Sequence, residues 1–287
     1  MSDIFQMTLT GLNLGLMYAL IAIGLTLIFG VMRIIQYAHG EMFMLGAFTL
    51  YYWHGVYGLP YWPGVVVSAV LIFCVGAIIE VVLFRPLQGR DMLYSLAVSL
   101  GLVLILSSGG LMIFGTTTKG IPSAISGGML LGGIFISYER IVISVVSVGL
   151  ILLLWAFLRL TVTGLAIRAV AEDPETAALQ GIQAGRIHWI AFGLGSAMAA
   201  IAGCMMGTLL SIVPTMGFIA TIKAFMVVIM GGLGSVIGAL VGGLILGVID
   251  SVVTTTISGD VAIILSFAVI FLILVFRPAG LFGQQWD

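Results

Sequence analysis

Charge is what this sequence has least of. Only 7% of its 287 residues are Asp, Glu, Lys or Arg, whereas 61% are hydrophobic, and soluble domains carry about a quarter charged residues. A chain this poor in charge, with a mean hydropathy of +1.29, cannot coat its surface for water, so its solvent must be lipid. The formal net charge of −1 excludes the basic footprint of a nucleic-acid binder and an acidic tail. Cysteine is scarce too. Cys74 and Cys204 sit in apolar runs without metal-ligand spacing and are expected to be small buried hydrophobes. No Gly-x-x-x-x-Gly-Lys-[Ser/Thr] phosphate loop occurs, so the chain has no means of its own to hydrolyse ATP. His39, His54 and His188 are widely separated, and no His-Glu-x-x-His or paired-acid motif stands out. No catalytic residue, metal site or cofactor is therefore expected in this chain. The first six residues carry only Asp3 as a charge, unlike the positive start of a signal peptide, so the first apolar run is read as a retained helix.

Glycine, by contrast, is abundant, at 39 residues. In water Gly weakens a helix by roughly 1 kcal/mol relative to Ala, but in a bilayer it lets helix backbones approach closely. Long uncharged runs (4–32, 42–79, 92–118, 141–158, 187–222, 224–249 and 261–276) suit helices of about 20 residues and not barrel strands that alternate over about 10. Residues 1–287 are thus expected to form one all-α, polytopic transmembrane helical bundle of eight or nine spans. The Gly58-Leu59-Pro60 turn separates the second span from the third, and 217–234 is a short segment of uncertain crossing. Arg33, Arg85, Arg90, Arg159, Arg168, Arg186 and Arg277 placed in the cytoplasm leave Lys119, Arg140 and Lys223 outside. That arrangement requires the N-terminus outside, the C-terminus inside and nine crossings. The segment from Gly115 to Ser137, rich in Gly, Ser and Thr, reads as an external loop: plain linker, or a rim that receives a delivered substrate.

The longest polar interruption, about 159–187, falls on the inner side. Within it, GLAIRAVAEDPETAALQGI runs from Gly164 to Ile182. Asp173 suits an N-cap, Pro174 the first helical position, Glu175 the positive end of the dipole, and Gly181 the left-handed residue that stops a helix. The spacing predicts two helical turns over 174–180. Such a helix is too short to be stable alone in water. Either it docks into a cleft of a cytoplasmic partner, or it is an elbow lying on the membrane surface.

This stretch resembles the coupling loop of ABC importer permeases, in which a short helix with an Ala-Ala pair followed by Gly sits in a groove of the ATPase. Ala177, Ala178 and Gly181 match that pattern, and Glu172 and Asp173 precede it. A second stretch, FGVMRIIQYAHGEMFMLGA from Phe29 to Ala47, resembles the signature of the Liv-type branched-chain amino acid permeases, with Gln36-Tyr37 where that family commonly has Asn. With GGLGSVIGALVGG (Gly231 to Gly243) the similarity covers nearly the whole chain, and urea permeases are related to the same group. The resemblance implies a permease subunit of the bacterial plasma (inner) membrane. Its partners would be two ATP-binding cassette subunits that bind the ATP, a second identical or homologous permease subunit, and a periplasmic or lipid-anchored substrate-binding protein. It would carry a branched-chain, hydrophobic amino acid, or alternatively urea or another small amide or amino acid, into the cell by ATP-driven alternating access, in contact with membrane lipid and no nucleic acid. The coupling residues would be Glu172, Asp173, Pro174, Glu175, Ala177, Ala178 and Gly181.

For the translocation pathway or gate, the candidates are His39, Gly40 and Glu41 at the inner end of the second span, and Gly231, Gly232, Gly234 and Ser235 at a possible helix break. Both sets have plainer readings. Glu41 can cap a helix start, and Gly234, Gly238 and Gly242, with Ser235, Ala239, Gly243 and Gly247 one position on, place small residues on one helix face for tight packing. An ion-coupled secondary transporter is a third possibility. It needs acids near mid-span, for which only Glu80 and Asp250 offer themselves; both are placed near the span ends.

Overall fold

A computed structural model describes residues 2–131 and 134–283. It is a bundle of helices: α1 (Ser2–Met32), α2 (His39–Leu50), α3 (Tyr61–Ile79), α4 (Met92–Phe114), α5 (Tyr138–Leu160), α6 (Val162–Glu172), α7 (Pro174–Leu179), α8 (Ala184–Leu209), α9 (Met216–Gly231), α10 (Val236–Thr256) and α11 (Gly259–Phe276). Single π turns, Tyr51–Val56 and Glu80–Phe84, extend α2 and α3. Seven helices among the described residues are long and apolar enough to cross a membrane. The extended α2 and α9 are shorter. Counting them gives nine membrane segments, the odd number that the charge distribution requires.

The short helices are short because they begin inside the bundle. His39, the first residue of α2, places its Nε2 3.0 Å from the carbonyl of Ile21, which lies about 16 Å up α1 from Met32 at 1.5 Å per residue. Residues 33–38 therefore climb back into the interior before α2 starts. This corrects the placement of His39 and Glu41 at the membrane boundary. Among the first residues of α9, Gly217 abuts the Glu41 carboxyl. The two short helices thus meet start to start.

Their neighbours repeat the arrangement. α1 packs against α10, α8 packs against α3, and α1 and α8 pack against each other, so α1–α3 and α8–α10 form two trios with matching contacts. Where α1 and α8 meet, a Cβ on Gly24 would stand 2.5 Å from the Gly195 carbonyl. No real side chain tolerates that, so both positions must be bare for the backbones to touch. Gly243 makes a matching approach to α1, where a Cβ would lie 2.7 Å from the Gly15 carbonyl. The tight-packing reading of the small-residue ladder accounts for this half of it.

Most of the surface of α4, α5 and α11 is exposed and apolar, as lipid requires. Cys204 is buried as expected, but Cys74 is exposed on α3. The external segment is more ordered than a linker. β1 (Gly128–Leu131) pairs antiparallel with β2 (Ile134–Ser137), and Lys119 pairs with Ile212; residues 132 and 133 lie outside the described residues.

Candidate functional site

The start of α2 is a buried helix N-terminus, whose orphan N–H groups need partners that water cannot supply. Other helices supply them. Ser99 of α4 accepts from the N–H of Tyr37 at 2.5 Å and donates to Gln36 Oε1 at 2.8 Å. Thr221 of α9 accepts from the N–H of Gly40 at 3.0 Å, and its hydroxyl faces the carbonyls of Tyr37 and Gly217, each at 3.0 Å. Gly40 thus presses α2 against α9. Glu41 is wholly buried and accepts a hydrogen bond from Ser107 at 2.9 Å. It does not cap the helix: Ala38 is the N-cap, and the side chain that takes a first-turn N–H is that of Thr221. Gln36 Nε2, His39 Nδ1 and Glu41 Oε2 are buried without a hydrogen-bond partner among the described residues. Such atoms cost about 1–3 kcal/mol each, so this conformation holds an incompletely satisfied polar centre.

The second group of pathway candidates lies elsewhere. α9 ends at Gly231, Gly232 and Gly234 take positive φ of 102° and 83°, and Ser235 caps α10 by accepting from the N–H of Gly238 at 3.0 Å. The break exists, but it is a turn at the end of the molecule occupied by the Arg277 segment. There Leu281 and Phe282 donate to the carbonyls of Met230 and Gly231 at 2.9 and 3.0 Å, satisfying the end of α9. The structure therefore does not bring Gly231–Ser235 together with His39–Glu41. It joins them instead to the inner elbow, through a cavity of about 480 Å³ lined by Glu172, Arg168, Gly234, Ser235 and Phe282. A Cβ at Gly232 would stand 2.5 Å from Gly283 Cα, and the residue would need positive φ as well. Gly232→Leu is expected to detach 277–283 from α9, which limited proteolysis should read as new cleavage after Arg277, with uptake lost. Wild-type protease resistance in that variant would refute the contact.

The elbow forms as its local signals dictate. Asp173 accepts from the N–H groups of Glu175 and Thr176 at 2.9 and 3.2 Å and from the Thr176 hydroxyl. The Thr176 hydroxyl and N–H hold its carboxyl below the usual aspartate range. At the other end Ile182 donates to Ala177 at 3.1 Å and Gly181 to Ala178 at 3.0 Å, with Gly181 at φ 82°. These two bonds are a Schellman closure. α7 is thus locked at both ends. Ala177 is 4% exposed and faces the bundle, while Glu172, Asp173, Pro174, Glu175, Ala178 and Gly181 are exposed. Leu179, which sequence reasoning passed over, is 85% exposed; a large apolar residue two positions before a helix-stopping Gly was its only signal.

Sequence reasoning also missed a charge pair. Lys223, assigned to the outside, is 4% exposed within the bundle. Its Nζ lies 2.6 Å from Asp250 Oδ1, and Tyr18 donates to Asp250 Oδ2 at 2.6 Å. Asp250, toward the C-terminal end of α10, is thereby tied into the interior. Glu80 is buried as well, accepting from Gln88 at 3.2 Å, and Gln88 lies 2.6 Å from His188.

Known proteins give this architecture its context. The chain is 33% identical to the high-affinity branched-chain amino acid transport system permease protein BraD of Pseudomonas aeruginosa, over 97% of this chain and 95% of that one. Identity and coverage are the same for the permease protein LivH of Escherichia coli strain K12. Among solved structures, PsaBC from Streptococcus pneumoniae in complex with Fab aligns at a TM-score of 0.49 and 13% identity, covering 93% of this chain and 90% of that chain. The sequence profile described as "Branched-chain amino acid transport system / permease component" matches residues 7–274, and the chain belongs to that family.

Proposed function

We propose that this chain is the membrane-spanning subunit of an ABC importer that moves a branched-chain, hydrophobic amino acid into the cell by ATP-driven alternating access. The observation that carries the reading is the elbow at 173–182, capped at both ends yet leaving Ala178 and Leu179 exposed. A rigid, two-turn lever with an unpartnered apolar tip fits a groove in a separate motor, and ATP belongs to that motor. Two ATP-binding cassette subunits, a second permease and an external substrate-binding protein complete the assembly. Motion at the elbow passes through the cavity shared with Gly234 and Ser235 to the turn that ends α9, and along α9 to its contact with the start of α2. The unpaired atoms of Gln36, His39 and Glu41 support a centre that changes partners between the inward-open and outward-open states, rocking about a midplane.

The test is reconstitution of this chain with its ATPase subunits and binding protein in proteoliposomes. Radiolabelled leucine is expected to accumulate only when ATP is available to the ATPases, and radiolabelled urea is not. Accumulation of urea instead would reassign the substrate. Leucine uptake by the chain alone, driven by an ion gradient, would replace the ABC reading with a secondary transporter.

A further inference from the structure

The Lys223–Asp250 pair joins α9 to α10 and, among the described residues, shares no hydrogen bond with Gln36, His39 or Glu41. An ionisable residue within a membrane helix is costly to insert and marks a functional site by default. A buried ion pair also adds little stability that an apolar pair would not. Nor is the pair needed to hold α9 to α10. Close packing does that where a Cβ on Gly231 would stand 2.7 Å from the backbone N of Ala239.

The pair also has spare bonding capacity. An ammonium carries three protons. One of those on Lys223 goes to Asp250, and the group stands 5.7 Å from the Tyr18 ring; among the described residues it has no other polar partner. Each Asp250 oxygen accepts one bond, from Lys223 or from Tyr18, and can accept another. Lys223 and Tyr18 open onto a cavity of about 210 Å³ whose other walls include Met17 and Ile21 of α1, Phe43 of α2, Met206 of α8 and Ile219 of α9. A cavity of about 150 Å³ with apolar walls already takes benzene. This one has room for a branched aliphatic side chain, with the Lys223 ammonium in its wall and Asp250 behind that wall, bonded to both Lys223 and Tyr18.

We propose that this is where the permease receives the head group of its substrate. The carboxylate of an α-amino acid sits on the free protons of Lys223, its ammonium turns toward Asp250, and its aliphatic side chain fills the apolar cavity. The inference rests on the branched-chain reading above and adds to it the residues that recognise the zwitterion. Urea has neither the charges nor the apolar chain. A lone cation would meet Lys223, and a lone anion would meet Asp250.

The test uses the complete reconstituted transporter carrying Ile219→Cys, a mostly exposed position on the cavity wall, reacted with N-ethylmaleimide and read by peptide mass at residue 219. With L-leucine on both sides of the membrane, labelling is expected to slow about fivefold once leucine exceeds its Kd about fourfold. L-leucinamide, which keeps the side chain and the ammonium but lacks the carboxylate, should not slow it. Lys223→Met alone would strand Asp250, so Lys223→Met/Asp250→Asn is the matching variant, and protection should vanish in it. Equal protection by leucine and leucinamide overturns the role of Lys223, as does protection that persists in the double variant. Should the double variant not assemble, the comparison of the two ligands decides. No protection in a transporter that still accumulates leucine overturns this site and leaves the proposed function standing. A transporter that accumulates no branched-chain amino acid at all removes both.

Discussion

Leu179→Asp is expected to cut substrate-stimulated ATP hydrolysis by the reconstituted transporter more than about tenfold, with leucine uptake falling in parallel. Leu179 is the last residue of α7 and is 85% exposed. It loses little packing among the described residues, and Asp173, Gly181 and Ile182 still close the helix. Insertion and thermal stability should therefore stay near wild type. If the tip enters a groove of the motor subunit, burying Leu179 contributes about 1.5–3 kcal/mol, and an unpaired carboxylate in its place costs more. One decade of equilibrium constant is about 1.4 kcal/mol, so the loss exceeds tenfold even at the low end. The readout is ATPase rate with and without leucine-loaded binding protein. Stimulation within twofold of wild type would mean that the elbow lies on the membrane surface and couples nothing. Ala177 turns into the bundle, so Ala178 is the position from which a bifunctional reagent reaches the motor.

The elbow was legible because each of its signals is local. Asp173, Pro174 and Gly181 act within a few residues of themselves, and the observed helix over Pro174–Leu179 ends one residue short of the expected 180. The lipid-facing helices were legible for a similar reason, since their length and apolarity need no partner to be read. What escaped was set by contacts distant in sequence. Lys223, Asp250 and Tyr18 come from three helices, and counting positive charges placed Lys223 outside because the rule weighs loop residues and is blind to a partner that shields a cation inside. The depth of His39 was hidden for the same reason. Nothing in residues 33–38 says that they climb back into the bundle; that depends on Ser99 and Thr221 accepting the N–H groups of Tyr37 and Gly40. The small-residue ladder of α10 announced close packing without naming Gly15 as a partner.

The start of α2 also supplies a severe single substitution. Gly40→Ala is expected to lower the yield of folded, monodisperse protein at least about tenfold, whereas Gly30→Ala should leave it unchanged. Alanine favours a helix over glycine by about 1 kcal/mol, so propensity alone predicts stabilisation at both sites. At Gly30 the nearest atom to an added methyl is Gly234 Cα at 3.9 Å, an ordinary contact. At Gly40 the methyl would enter the Gly217 carbonyl and the Thr221 hydroxyl and stand 2.7 Å from the Thr221 backbone N. These are mostly backbone atoms that no rotamer change can move. α2 and α9 would have to separate by more than about 1 Å to restore normal contact. Overpacking costs about 1–3 kcal/mol or more. The separation would also break the bond from the Gly40 N–H to Thr221, leaving a buried donor unpaired at a further cost of about 1–3 kcal/mol. The penalty outweighs the propensity gain severalfold. Detergent extraction followed by size-exclusion yield checks it, and wild-type recovery of Gly40→Ala would show that α2 and α9 do not meet start to start.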